Sequence, residues 1–134
     1  MIQIFNDKYW TVLFNEELNI IETQWTAEAQ EMTDNIFKEY ITVFAQLIEK
    51  YKPNGFLTDA RNGHYAVAPA LQEWHDNEII PIYIKTGVLK IAFVLPPDIF
   101  AAVALQQTFD EVEAKKLTVR HFEDYDSAIE WIRK

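Results

Sequence analysis

Asp59, Arg61 and Asn62 stand together directly after a short apolar run, Phe56-Leu57-Thr58. The turn Pro53-Asn54-Gly55 launches that run. A buried parallel strand reads this way when it delivers a loop to the carboxyl edge of a sheet, where open α/β folds bind their ligands. A carboxylate, a planar guanidinium and an amide there could bind a polar or anionic ligand, since the Arg fork needs an acceptor from somewhere. His64 and His75 follow in the chain and Trp74 stands beside the second of them. One chemistry is therefore a ligand site built from Asp59, Arg61, Asn62, His64 and Trp74. Another is a small hydrolase or isomerase pairing Asp59 with His64 or His75. A plainer reading stays open beside both: Asp59 accepts backbone hydrogen bonds from its own loop.

Most catalytic alternatives fail for want of residues. The chain has no cysteine, which excludes disulfides, thiolate nucleophiles and Cys-based metal sites and is compatible with a reducing cytosol. The lone serine, Ser127, is not in a G-x-S-x-G context, and no H-E-x-x-H spacing exists. Three glycines in all cannot build a phosphate-cradling loop. The expectation is binding without catalysis, with no cofactor and no metal.

Charge narrows the partners. A net charge of −9, with twelve Lys and Arg scattered along the chain, argues against nucleic acid and anionic membrane surfaces. No apolar run approaches the roughly 20 residues a membrane span needs. The stretch Met1–Asp7 lacks the basic and apolar regions of a signal peptide, so a cytoplasmic protein is expected. A protein partner, a second copy of the chain, or a small anionic or apolar ligand remain.

With 134 residues, 49% of them hydrophobic, a single domain over residues 1–134 can bury a core without staples. Three strands are expected first, over residues 2–5, 9–14 and 18–25, the last alternating so that one face stays partly wet. From Asp34 to Lys50 the period changes: Phe37, Tyr40, Ile41, Phe44, Leu47, Ile48 and Tyr51 recur at three and four, with Thr33 as N-cap. The central strand takes residues 56–60. A second helix runs from about Ala70 to Glu78, and Pro81 must end or kink it near 77–80. His75 is assigned to the wet side of that helix. Residues 82–84 make a further helical segment closed by Gly87. Core strands at 89–95 and 118–122, a helix from 98 to about Val112 and a short one from Tyr125 to Arg133 complete an α/β domain. Its sheet is mixed and mostly parallel, with an N-terminal antiparallel edge and covering helices. Tyr9, Trp10, Phe14, Trp74 and Trp131 are mostly core, and any large ring left outside would mark a partner surface or lipid pocket.

A resemblance rests on residues spread along the chain. They are Trp25 ending the third strand, Met32-Thr33 opening the long helix, and Lys50-Tyr51-Lys52-Pro53 ahead of Phe56-Leu57-Thr58-Asp59. Pro69-Ala70-Leu71-Gln72-Glu73-Trp74, Lys90-Ile91-Ala92-Phe93-Val94, Phe122-Glu123-Asp124 and Ala128-Ile129-Glu130-Trp131-Ile132 continue it. Together they resemble the single-domain STAS/SEC14-like group, which has the fold of the anti-sigma-factor antagonists. The resemblance implies a STAS-like protein-interaction or small-ligand module, and places Ser127 in the first turn of the last helix. Its SEC14 side implies a lipid-like ligand carrier as the alternative, ranked below a protein partner because this chain lacks helices to enclose a lipid. The antagonists carry a phosphorylatable serine after the Asp that ends the central strand. Asp59 matches, but Ala60 stands in the serine's place, so the switch is expected to be missing. The loop at Arg61, beside a helix N-terminus, is then expected to receive a carboxylate or phosphate directly.

Overall fold

The computed structural model describes residues 1–63, 65–110 and 113–134. Six strands form one sheet in chain order: β1 Ile2–Asn6, β2 Trp10–Asn15, β3 Ile20–Trp25, β4 Gly55–Asp59, β5 Lys90–Val94 and β6 Thr118–Phe122. β1, β2 and β3 pair antiparallel, and β3 to β6 pair in parallel. The mixed sheet with an antiparallel N-terminal edge is thus the one the periodicity predicts. β5 lies inside it between β4 and β6.

Three connections cross one face of the sheet. They are α1 Asp34–Tyr51, the pair α2 Pro69–Trp74 and α3 Ile80–Thr86, and α4 Ile99–Thr108. Their apolar stripes meet Trp10, Ile21, Phe56, Ile91 and Phe93 in the larger core. The final helix, α5 Tyr125–Ile132, covers the opposite face through Ala128 and Ile132 on Ile20, Leu57, Ala92 and Val94. β4 is consequently buried at every position. Thr33 Oγ1 accepts the Ile36 N–H at 3.2 Å to start α1, and Lys52 ends it in the left-handed region. Asp98 and Asp124 cap α4 and α5 in the same way, and Ser127 in the first turn of α5 donates to Asp124 Oδ2 at 3.0 Å.

Several boundaries differ from the sequence expectation, each for a local reason. β3 starts at Ile20 because Asn19 adopts φ 55°, the left-handed conformation Asn tolerates, and completes the turn that Asn15 Oδ1 stabilises through the Leu18 N–H. The α-helix α4 ends at Thr108, whose hydroxyl bonds back to the Ala104 carbonyl, and Phe109 turns into the core. Val112, where that helix was expected to end, lies outside the described residues. Pro81 neither ends nor breaks its helix. Five residues, His75–Ile79, open into a π-turn that joins α2 to α3, with the Ile80 N–H reaching His75 O. The wider turn accommodates a ring that lacks an N–H and would crowd the preceding carbonyls of a regular α-helix. Of the five rings expected in the core, Trp10 is fully buried and Tyr9, Phe14, Trp74 and Trp131 are half-buried.

Gly55 enters β4 so close to β5 that a Cβ there would collide with the Lys90 carbonyl oxygen. Backbone cannot swing aside as a side chain does. Gly55→Ala is expected to destabilise the fold by roughly 1–3 kcal/mol, read as a lower urea midpoint at unchanged m.

Candidate functional site

Alternation along β4 sends Phe56 and Thr58 toward the three-helix face and Leu57 and Asp59 toward the α5 face. At the strand end Asp59, itself buried, turns into its own loop. Its Oδ1 accepts the Arg61 backbone N–H at 3.1 Å and Nε at 2.9 Å, while Oδ2 accepts Nη2 at 2.7 Å. This is a bidentate fork with a turn bond added. The anion that Arg61 meets is therefore Asp59. Those bonds hold the guanidinium charged, with Asp124 and Asp126 adding negative charge around it. Asn62 is exposed and faces an open groove with Thr11, Gln24 and Thr26. Arg61 also borders a second groove, with Leu95, Pro96, Pro97 and Ile99. α2 begins only at Pro69, so residues 62–68 stand between Arg61 and its N-terminus in the chain, where the expectation set the two side by side. The family position of the serine is closed: Ala60 is wholly buried and donates its N–H to Val94 O at 2.9 Å. Thr58, the nearest hydroxyl, is buried in the strand. His64 lies outside the described residues.

Gly63 lets the loop press against the sheet edge, where a Cβ would crowd Trp25 and Ala29. Tyr65 then stands edge-on to Phe37 and donates to Asp34 Oδ1 at 2.6 Å, tying the loop to the start of α1.

His75 departs most from expectation. It is 4% exposed, with its ring edge-on to Tyr83 and Phe109. Asp59 points to the other face of the sheet, so the proposed Asp59–His75 pair is not assembled. The spacing of Leu71, His75, Ile79 and Tyr83 carries the missed signal: four buried residues at constant steps of four. An α-helix drifts about 40° per such step, so one face keeps all four only if the helix widens. His75 borders an apolar cavity of about 40 Å³ whose walls include Phe44, Phe56, Phe93 and Phe109, and whose hydroxyl-bearing residues are Tyr40, Thr58, Tyr83 and Thr108. Its Nδ1 has no hydrogen-bond partner among the described residues. Burial pushes its pKa down to about 4, against a small opposing pull from Asp76. His121, stacked on Phe93, is lowered for the same reason. Trp74 is half-buried, with Lys38 Nζ 5.1 Å from its ring centroid.

A second buried polar group was also missed. The alternation of the third strand predicts one partly wet face, yet α5 covers Glu22 to 1% exposure. The Tyr125 hydroxyl donates to its Oε1 at 2.5 Å, and Asn15 Nδ2 approaches Oε2 at 3.5 Å. Burial first, then this bond to the carboxylate, raises the Tyr125 phenol and keeps it protonated. Strand alternation alone cannot tell a wet face from one that a distant helix covers.

Among the described residues no cluster of three or more His, Asp or Glu is placed to hold a metal, and no helix is long and apolar enough to cross a membrane. A protein-family model described as SpoIIAA-like matches residues 20–133. No curated protein and no solved structure matches the chain.

Two outcomes follow from these buried groups. His75 is neutral when folded down to about pH 4 but takes a proton below 6.5 when unfolded, so the unfolded state binds more protons in that window. Stability is therefore complete above pH 6.5 and falls as the pH drops toward 4, by about 3 kcal/mol from this residue. Urea titrations at several pH values should show His75→Phe with a correspondingly flatter acid limb. Tyr125→Phe leaves the Glu22 carboxylate short of its closest donor and should cost roughly 1.5–3 kcal/mol by the same measurement.

Proposed function

The chain belongs to the SpoIIAA-like family, and from that premise we propose that it is a non-catalytic STAS-type interaction module that docks a protein partner and works without a phosphorylation switch. One observation carries the reading. α4 holds no charged residue from Ile99 to Thr108, and from Ile99 to Leu105 it is apolar on every side. While Ala101, Ala104 and Leu105 face the core, Ile99 and Phe100 stand 70% and 79% exposed, with Val103 beside them. An all-round apolar helix ordinarily lies buried on all sides, and a clustered exposed patch on a small domain marks a contact surface. The patch adjoins the groove that Arg61 borders at the carboxyl edge of the sheet. Arg61 enters as the proposed polar contact beside it, with Asn62 on the neighbouring groove and Trp74 on α2 as further proposed contacts. Asp59 acts through the guanidinium it orients, and the unused donors of Arg61 face outward. Among the described residues, no activated nucleophile and no base beside a substrate cleft supports an enzyme.

A second reading has its own support: a small ligand in the cavity beneath α1, α3 and α4, whose walls are mostly aromatic. Its room of about 40 Å³ is far below the several hundred that enclose a lipid-sized ligand, which speaks against a lipid carrier.

A photo-crosslinking residue at position 100, expressed in the source cell, tests the docking surface. The expected result is a discrete adduct with another protein, lost on Ile99→Asp and weakened by Arg61→Ala, and absent when the probe sits at exposed Glu39. An adduct with the chain itself would make the partner a second copy. Labelling at position 100 no different from that at 39 would overturn the reading.

A further inference from the structure

The second reading turns on a buried imidazole nitrogen. In the aromatic cavity His75 Nδ1 has no hydrogen-bond partner among the described residues, although the residue is 4% exposed. Buried polar atoms in native proteins are paired with protein or water in the great majority, and leaving one unmade costs on the order of 1–3 kcal/mol. Of the other polar groups on the wall, Thr108 spends its hydroxyl hydrogen on Ala104 O at 2.8 Å and Tyr40 donates to Thr23 Oγ1 at 3.3 Å. Trp25 Nε1, a donor on the same wall, has no partner among the described residues either. Asp76, next in the chain, accepts the Glu113 N–H at 3.0 Å. The ring itself is fixed between Tyr83 and Phe109, with centroids at 5.9 and 5.2 Å.

We propose that the His75 imidazole is the polar anchor of this cavity, and that the ligand it selects is an uncharged, largely apolar molecule carrying one hydroxyl, an alcohol or a phenol. This rests on the small-ligand reading above. The chemistry of the wall sets the class. A hydroxyl both donates and accepts, so it satisfies Nδ1 in either tautomer of the neutral ring. A carboxylate or ammonium would bring an unpaired charge into a cavity of phenylalanines beside a neutral imidazole, which is far more costly. A pure hydrocarbon fills the space but leaves Nδ1 unpaired. The existing room suits a water or a small hydroxyl group, so a ring enters by displacing Leu105 and Phe109, the side chains with which α4 closes the cavity.

Phenol and toluene are near-isosteres that differ in this one group, and they serve as the probes. Dissociation constants come from thermal-shift and NMR titrations of the full chain, with the imidazole nitrogens followed in a long-range ¹H–¹⁵N spectrum. Wild type should bind phenol about tenfold more tightly than toluene, with the His75 Nδ1 resonance moving on phenol alone. His75→Phe should abolish that preference, and His75→Gln should restore part of it. Should His75→Phe fail to fold, the Nδ1 resonance in wild type decides alone: no movement with phenol overturns the anchor. Equal affinity for the two probes in wild type, or an unchanged preference in His75→Phe, overturns the anchor and leaves the cavity reading standing. If neither probe binds any variant, both fall together.

Discussion

A strand covered on both faces has no water to offer the polar groups it carries, and β4 is such a strand. Everything polar near its end must find its partner in protein. Asp59 finds it in Arg61, two residues on, and the pair then fixes the direction in which the loop leaves the sheet. Glu22, opposite Leu57 on the neighbouring strand, finds it in Tyr125 on α5, more than a hundred residues later in the chain. The same demand runs through the edge of the sheet, where Ala60 closes against Val94 O. A buried carboxylate with charge-assisted donors is held in place more firmly than one left in water, because removing a donor strands a charge. Positioning at this edge comes from such commitments, which hold Asp59 and Glu22 to partners within the protein.

The fold was legible because its signals are local or periodic. The three-and-four spacing of Phe37, Tyr40, Ile41 and Phe44 needs only a helix to explain it, and the unbroken apolar run of β5 needs only a sheet interior. The cap at Thr33 and the stop at Pro53 are equally local. What could not be read required knowledge of which distant element covers which face. Glu22 looks like a wet residue until α5 is laid over it. His75 looks exposed under a strict α period and falls inside once the π-turn is admitted. Asp59 and Arg61 were recognised as a cluster, but whether they serve a ligand or each other depends on side-chain geometry that spacing does not contain.

Membership of the SpoIIAA-like family and the missing hydroxyl belong together. In the antagonists the resemblance points to, a modifiable serine follows the Asp. Here the matching residue is an alanine whose surface is entirely enclosed. A serine placed there would have no path to a kinase without opening the sheet edge. At this one position the structure offers neither a hydroxyl nor an exposed surface.

The π-turn between α2 and α3 divides one helical rod into two levers. α2 rests against α4, while α3 rests against α1. The joint between them lies where the i-to-i+5 bonds are weaker than those on either side. A rod so jointed yields by bending, with its two arms intact. In mechanical terms the helical layer carries a joint, seated at the residue whose Nδ1 has no partner among the described residues.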